Sequence, residues 1–292
     1  MKINGKTRVC GLIGNPVEHT LSPLIHNTLA EQLSHNLVYV PFLTEGGEKE
    51  VKRAVEGAYA LNILGMNVTV PHKEHVLAAL KEMDPLAEKI KAVNTLVRIP
   101  GGYKGYNTDI MGLHRAMESE GIYLEGENVI LLGAGGAARA MAFLCAECKA
   151  EKVYLLNRTY EKAAQVADEV NRKSGTDCVI PMDLSDYRSL PDKRFLAVQC
   201  TSVGLYPDTE KAVIYDEAFY RKIHTGYDVI YRPANTRFMR LVEEAGGRAY
   251  HGLKMLLYQG IIAYELWNGM KVSEETAEKI YKRMKEEMGI EA

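Results

Sequence analysis

The segment that most limits what this chain can fold into is Val129-Ile-Leu-Leu-Gly-Ala-Gly-Gly-Ala-Ala-Arg-Ala140. Four apolar residues suited to a buried strand run into Gly133-x-Gly135-x-x-Ala138, and an Ala-rich helical stretch follows. A strand-to-helix turn of this kind lets backbone N–H groups approach a pyrophosphate at the positive end of a helix. The alternative is a glycine turn with no ligand. The apolar strand before the motif and the helix after it favour a dinucleotide site at Gly133, Ala134, Gly135, Gly136 and Ala137.

The next strand refines that reading. An NAD site usually carries Asp or Glu about 20 residues past the first glycine, where a carboxylate bonds the ribose hydroxyls. Here the chain has Asn157-Arg158-Thr159, with Arg158 lying 25 positions after Gly133, and Lys162 follows. Cationic side chains with no carboxylate suit a 2′-phosphate, so NADP is expected ahead of NAD. A solvated basic helix start is the structural alternative.

Around this segment, strands and helices alternate. Strands are expected at Arg8–Ile13, Leu37–Leu43, Leu64–Val70, Val93–Ile99, Tyr103–Tyr106, Asn128–Leu132, Lys152–Leu156, Cys178–Ile180, Phe195–Cys200 and Tyr227–Tyr231. Helices fall between them, and the last two cover Leu253–Trp267 and Ser273–Met288. This order predicts an α/β protein with mostly parallel sheets. At 292 residues the chain has room for two domains.

Composition excludes several classes. Lys plus Arg (36) nearly balances Asp plus Glu (38), which argues against a nucleic-acid or anionic-membrane partner. Val129–Ala146 is interrupted by three glycines and Arg139, so it is no membrane span. Met1 to Gly14 has no apolar core long enough for a signal peptide. Five scattered cysteines read as the reduced thiols of a cytoplasmic protein, and Cys145-Ala-Glu-Cys148 reads as helix packing. No metal is expected. The His72–His75 pair reads as a solvated helix start.

The first half carries polar residues near strand ends, where open α/β sheets bind ligands. Thr20-Leu-Ser22 puts two hydroxyls at a helix start, where they could hold a carboxylate, although Ser22 also fits as a simple cap before Pro23. Asn67 and Thr69 alternate on one strand face before Pro71-His72-Lys73, and Asn94-Thr95 and Asn107-Thr108-Asp109 end or follow later strands. Such a set suits a small ligand with many hydroxyls. A surface Lys73 and a helix-capping Asp109 are equally open on the residues alone.

These blocks together resemble the shikimate/quinate dehydrogenase family. The match is carried by Gly14-Asn-Pro-Val-Glu-His-Thr-Leu-Ser-Pro23, Asn67-Val-Thr-Val-Pro-His-Lys73, Ala92-Val-Asn-Thr95, Gly105-Tyr-Asn-Thr-Asp109, Gly133-Ala-Gly-Gly-Ala137, Asn157-Arg-Thr159, Thr201-Ser-Val-Gly204 and Gln259-Gly-x-x-x-Tyr-Glu-Leu-Trp267, in family order over nearly the whole chain. The resemblance implies NADPH-dependent reduction of 3-dehydroshikimate to shikimate in aromatic amino acid biosynthesis. It implies a discontinuous substrate-binding domain (1–112 and 252–292), a Rossmann-type NADP domain (113–251) and a cleft between them. Lys73 and Asp109 become the catalytic pair. Thr20, Ser22 and Tyr231 become holders of the substrate carboxylate, and Asn67, Thr69, Asn94 and Gln259 partners of its ring hydroxyls. Thr201, Val229, Gly252 and Met255 join the cofactor set with Asn157, Arg158, Thr159 and Lys162.

Three departures are visible. Thr20 stands where the family more often has Ser, Gln199-Cys200 where it has Asn-Ala, and Lys162 where it has a second Arg. Quinate as substrate, with NAD or NADP, is the neighbouring expectation. A non-catalytic ligand-binding regulator is the one from another class, and a homodimer is an allowed assembly.

Overall fold

The computed structural model describes residues 3–290; the ends of the expected first domain, residues 1, 2, 291 and 292, lie outside the described residues. The chain divides into two compact units. One holds the residues up to Arg115 and from Leu256 onward, and the other runs from Ala116 to Met255. Gly252 and Met255 thus belong to the second unit, whereas the expected limits had placed them with the first domain.

The chain begins with β1 (Arg8–Gly14), α1 (Ser22–Gln32), β2 (Leu37–Leu43), α2 (Glu48–Ala60) and β3 (Gly65–Val68). A 3₁₀ turn (His75–Ala79), β4 (Glu82–Met83), α3 (Pro85–Ile90), the hairpin β5 (Thr95–Ile99) and β6 (Gly102–Tyr106), and α4 (Thr108–Ser119) follow. The sheet order is β2-β1-β3-β5-β6-β4. β1 pairs in parallel with β2 and β3, and β4 with β6, while β3–β5 and β5–β6 are antiparallel. Val51, Val55 and Ala58 recur along one face of α2 and bury against Ile13, Met66, Val68 and Leu96.

β3 is shorter than the expected Leu64–Val70. Its ladder to β1 ends at Ile13↔Val68. Beyond it the Thr69 N–H still donates to the Ile13 carbonyl, and Asn15 N–H to the Val70 carbonyl. Pro71 has no N–H to extend the pairing, and the chain turns away toward Lys73.

The second unit continues with β7 (Asn128–Leu132), α5 (Gly136–Glu147), β8 (Lys152–Asn157), α6 (Tyr160–Ser174) and β9 (Val179–Asp183). After a 3₁₀ turn (Leu184–Ser189) come β10 (Phe195–Gln199), α7 (Glu217–Tyr220), β11 (Ile223–Asp228), α8 (Arg237–Glu244) and β12 (Arg248–His251). The six strands are all parallel in the order β9-β8-β7-β10-β11-β12. That is the strand order of a doubly wound dinucleotide-binding sheet, reversing between β7 and β10. The expected strand Tyr227–Tyr231 is displaced: β11 begins at Ile223 and ends at Asp228. His224, Thr225 and Gly226 spoil its apolar run, yet a Cβ on Gly226 would lie 2.9 Å from Val242, so the small residue lets α8 close onto the strand.

The chain then returns through α9 (Leu253–Asn268) and α10 (Glu274–Met288). In the first unit the buried Trp267 donates its indole N–H to the Leu96 carbonyl at 2.9 Å, over the space left by Gly65. Ser273 caps α10 by accepting from Thr276 N–H, and Ile280 and Met284 form its buried face.

Candidate active site

In the first unit, the Lys73 Nζ donates to Asp109 Oδ2 at 2.6 Å, with each side chain roughly one-third exposed. Local folding explains both positions. Asn107 Oδ1 accepts from the Ile110 N–H and caps α4, while its Nδ2 donates to the Ala92 carbonyl. Asp109 therefore sits in the first helical turn, where the macrodipole favours a carboxylate. Lys73 is held from behind by His72, which is fully buried. Its Nε2 lies 2.7 Å from the Thr44 carbonyl, an acceptor only, so that nitrogen carries the proton and Nδ1 faces His75 Nδ1 at 3.3 Å. This corrects the expectation of a solvated helix start: His72 anchors the turn that presents Lys73.

A buried polar chain lies beside this pair. Tyr39 donates its hydroxyl to Asn67 Oδ1 at 2.9 Å, and Asn67 Nδ2 donates to the Asn94 carbonyl (3.3 Å) and to Thr95 Oγ1 (3.0 Å). Asn94 Oδ1 accepts from the Thr108 N–H (2.7 Å) and hydroxyl (3.1 Å), which ties it to the helix start that carries Asp109. Thr69 is half-buried and rests over Gly14, where a Cβ would come within 2.2 Å of its methyl. Gln259 is buried on α9 with Nε2 bonded to the Leu256 carbonyl. Gly112 of α4 allows this approach, because a Cβ there would meet the Gln259 backbone nitrogen at 2.5 Å.

Thr20 and Ser22 are joined, the Thr20 hydroxyl donating to Ser22 Oγ at 3.1 Å and the Ser22 N–H to Thr20 Oγ1 at 3.2 Å. Ser22 is not the cap the sequence suggested. Leu21 occupies that position, no side chain caps α1, and Ser22 is the first helical residue. Both hydroxyls thus stand beside a helix N-terminus where, among the described residues, only the Ser22 N–H is taken by a side chain, that of Thr20, a setting that favours an anion.

In the second unit, Gly133 adopts φ +104°, with Thr201 so close that a Cβ would touch its methyl at 2.8 Å. Gly135 and Gly136 face open space, Ala134 is half-buried, and Ala137 is exposed. No side chain caps α5. Thr201 is held by the buried Gln199, whose Oε1 accepts from the Thr201 N–H (2.8 Å) and hydroxyl (2.7 Å) while Nε2 donates to the Val203 carbonyl (2.9 Å). The departure at Gln199 thus pins this loop. Asn157 Nδ2 bonds the Thr159 carbonyl, and Arg158, Thr159 and Lys162 are exposed around the start of α6. Arg158 and Lys162 have no side-chain hydrogen bond or ion pair among the described residues. Arg158 borders a recess lined by Leu184, Tyr187, Val213, Ile214 and Asp183, whose carboxylate is taken by Ser185.

Val229 and Gly252 are brought together, a Cβ on Gly252 being 2.2 Å from the Val229 carbonyl oxygen. Tyr231 and Met255 are half-buried in the same unit. The sequence reading missed Asp228. It is fully buried, accepts from the Ile230 N–H (2.9 Å) and the Thr236 hydroxyl (2.7 Å), and so fixes the loop carrying Val229 and Tyr231. Burial raises its carboxyl to about 7, the two hydrogen bonds opposing. Among the described residues, no group of three His, Cys, Asp or Glu is placed to hold a metal.

Comparison with known proteins decides the lineage. Residues 12–96 match the shikimate dehydrogenase substrate-binding domain, 116–189 the shikimate/quinate 5-dehydrogenase model and 252–280 the shikimate 5′-dehydrogenase C-terminal domain. The NADP(+) shikimate dehydrogenase of Desulforamulus reducens is 42% identical over 274 residues, covering 92% of each chain. The chain belongs to the shikimate dehydrogenase family. Its Methanothermobacter thermautotrophicus relative, also named shikimate dehydrogenase (NADP(+)), is 38% identical over 97% of this chain and 98% of its own. Among solved family structures, the Listeria monocytogenes enzyme in complex with shikimate and NAD superposes with a TM-score of 0.88. It is 32% identical and covers 96% of this chain and 98% of that one. The Thermus thermophilus enzyme in complex with NADP(H) and shikimate gives a TM-score of 0.81 at 32% identity, over 95% and 99%.

Proposed function

We propose that this protein is a shikimate dehydrogenase that interconverts 3-dehydroshikimate and shikimate with NADP. The observation that carries the reading is the 2.6 Å Lys73–Asp109 pair set beside the Asn67–Asn94–Thr108 polar chain. A cyclic polyol carboxylate would find hydroxyl partners in Asn67, Thr69, Asn94 and Gln259, and a carboxylate seat at Thr20 and Ser22.

As a ketone carbon becomes tetrahedral its oxygen gathers negative charge. An ammonium at Lys73 can stabilise that charge and deliver the proton, and Asp109 holds the ammonium in place. In the reverse direction the amine of Lys73 takes the hydroxyl proton. NADP, when bound, supplies or accepts the hydride. The residues present fit that cofactor: the uncapped α5 N-terminus with Gly135 and Gly136 in open space suits the pyrophosphate, and the unpaired Arg158 and Lys162 suit the 2′-phosphate. Thr201, Val229, Gly252 and Met255 would complete its contacts.

Steady-state rates with shikimate or quinate, each with NADP or NAD, test the assignment. Fastest turnover of shikimate with NADP is expected; faster turnover of quinate with NAD would overturn it. Replacing Arg158 with Ala should raise KM for NADPH by roughly 10- to 100-fold, the worth of one charge-assisted hydrogen bond, and leave NADH nearly unchanged. Equal effects on both cofactors would remove Arg158 from 2′-phosphate recognition. No helix among the described residues is long and apolar enough to cross a membrane. All five cysteines are free thiols, and burial raises those of Cys10, Cys145 and Cys200, in keeping with a cytoplasmic enzyme.

A further inference from the structure

Asn67 and Asn94 are each held by a backbone group whose hydrogen-bonding direction cannot change. Asn67 faces the Asn94 carbonyl, which only accepts, so its NH₂ must point there. That NH₂ also donates to Thr95 Oγ1, so both of its protons are committed inside the protein. Its Oδ1 takes the Tyr39 proton and keeps a second lone pair. Tyr39 is buried, stacked on His26 with ring centroids 4.2 Å apart, and burial holds its hydroxyl protonated. Asn94 is the mirror case. Its amide oxygen faces the Thr108 N–H, which only donates, and it also accepts from Thr108 Oγ1 and Thr95 Oγ1 (3.3 Å). Its Nδ2 has no partner among the described residues and is not among the sealed, unsatisfied atoms.

We infer that the two asparagines present opposite polarities to the ring of the ligand, Asn67 an acceptor only and Asn94 a donor only. This rests on the shikimate reading above and deepens it. An oxygen meeting Asn67 must be a hydroxyl that donates, whereas one meeting Asn94 need only accept. A ketone placed at Asn67 sets lone pair against lone pair, which is disfavoured where the acceptor is buried. A ketone placed at Lys73 meets a donor. Asn67 therefore excludes the carbonyl from the ring position it faces, and Tyr39 is a positioning residue for that choice.

The test uses shikimate and two analogues in which each non-reacting ring hydroxyl is replaced in turn by fluorine, which never donates. With the intact enzyme and NADP, the analogue fluorinated opposite Asn67 should show KM raised at least about 10-fold, since a buried acceptor loses its donor. The other should lose several-fold less, because fluorine there meets an N–H, which it accepts weakly, and no opposing lone pair. The variant Asn94→Asp keeps an oxygen for the Thr108 N–H and converts the presented NH₂ into a second oxygen, so the tolerated analogue should become the rejected one. Equal losses for both analogues, or unchanged tolerance in Asn94→Asp, would overturn the polarity assignment while leaving the activity intact. Absence of turnover of shikimate itself would overturn the underlying reading, and this one with it.

Discussion

Replacing Lys73 with Ala is expected to lower kcat by about 10²–10⁴-fold, the usual contribution of a positioned proton donor. Lys73 is the cation that meets Asp109, at 2.6 Å. Its loss removes both the proton for the developing alkoxide and the charge that stabilises it. The KM for NADP should change little, because its proposed contacts all come from residues of the second unit. A structural role would predict something else. Lys73 is one-third exposed, so truncation leaves no core cavity and the folded state should persist. Small primary amines added to the variant should restore part of the rate, since they return a proton donor to the vacated space. Near-normal kcat in Lys73→Ala would remove the residue from the mechanism. A low rate that no amine improves, with a lowered melting temperature, would point to packing.

The ease of reading the fold from sequence follows from where apolar residues are continuous. Phe195–Gln199 and Val129–Leu132 are buried on both faces, so their runs announce themselves as central parallel strands. β11 is equally central but reads His-Thr-Gly in the middle, because Gly226 is chosen by the helix above it. Edge β12, only Arg248–His251, has no pattern to recognise. At such positions tertiary packing overrides local preference.

The site was legible in a different way. The glycines at Gly133 and Gly135 and the cation at Arg158 state their chemistry locally, through a turn and a charge. Lys73 and Asp109 do not. They are 36 positions apart, and neither periodicity nor spacing joins them; the resemblance to a family supplied that pairing. What no pattern carried was direction: that His72 is inside, that Ser22 is not a cap, and that Asn67 and Asn94 turn opposite ends of their amides to the backbone. These depend on single backbone groups, the Thr44 carbonyl, the Asn94 carbonyl and the Thr108 N–H, which become neighbours only after folding.

His26 gives the second large expectation, on stability. It is fully buried in the first unit between Tyr39 and Trp267, and neither ring nitrogen has a hydrogen-bond partner. Burial pushes its imidazole down to about 3, with nearby Asn67 opposing. In the unfolded chain the same ring takes a proton near pH 6.5. Between these values the unfolded state binds more protons, so stability rises with pH through this window and is lost as pH falls from about 6.5 toward 3. At 1.36 kcal/mol per unit, the loss by pH 4 is about 3 kcal/mol relative to pH 8. Asp228 has the opposite slope. Its carboxyl is raised to about 7, so the native state holds the extra proton from about pH 4 upward and stability falls as pH rises to 7. In the unmodified protein the two slopes oppose each other between about pH 4 and 6.5. Subtracting the stability of His26→Phe, measured by urea unfolding from pH 4 to 8, cancels Asp228 and every other common group. That difference should shift by about 3 kcal/mol in favour of the variant as pH drops, and its m-values should stay equal. A difference independent of pH would mean that His26 is protonated in the folded protein, or reaches water there.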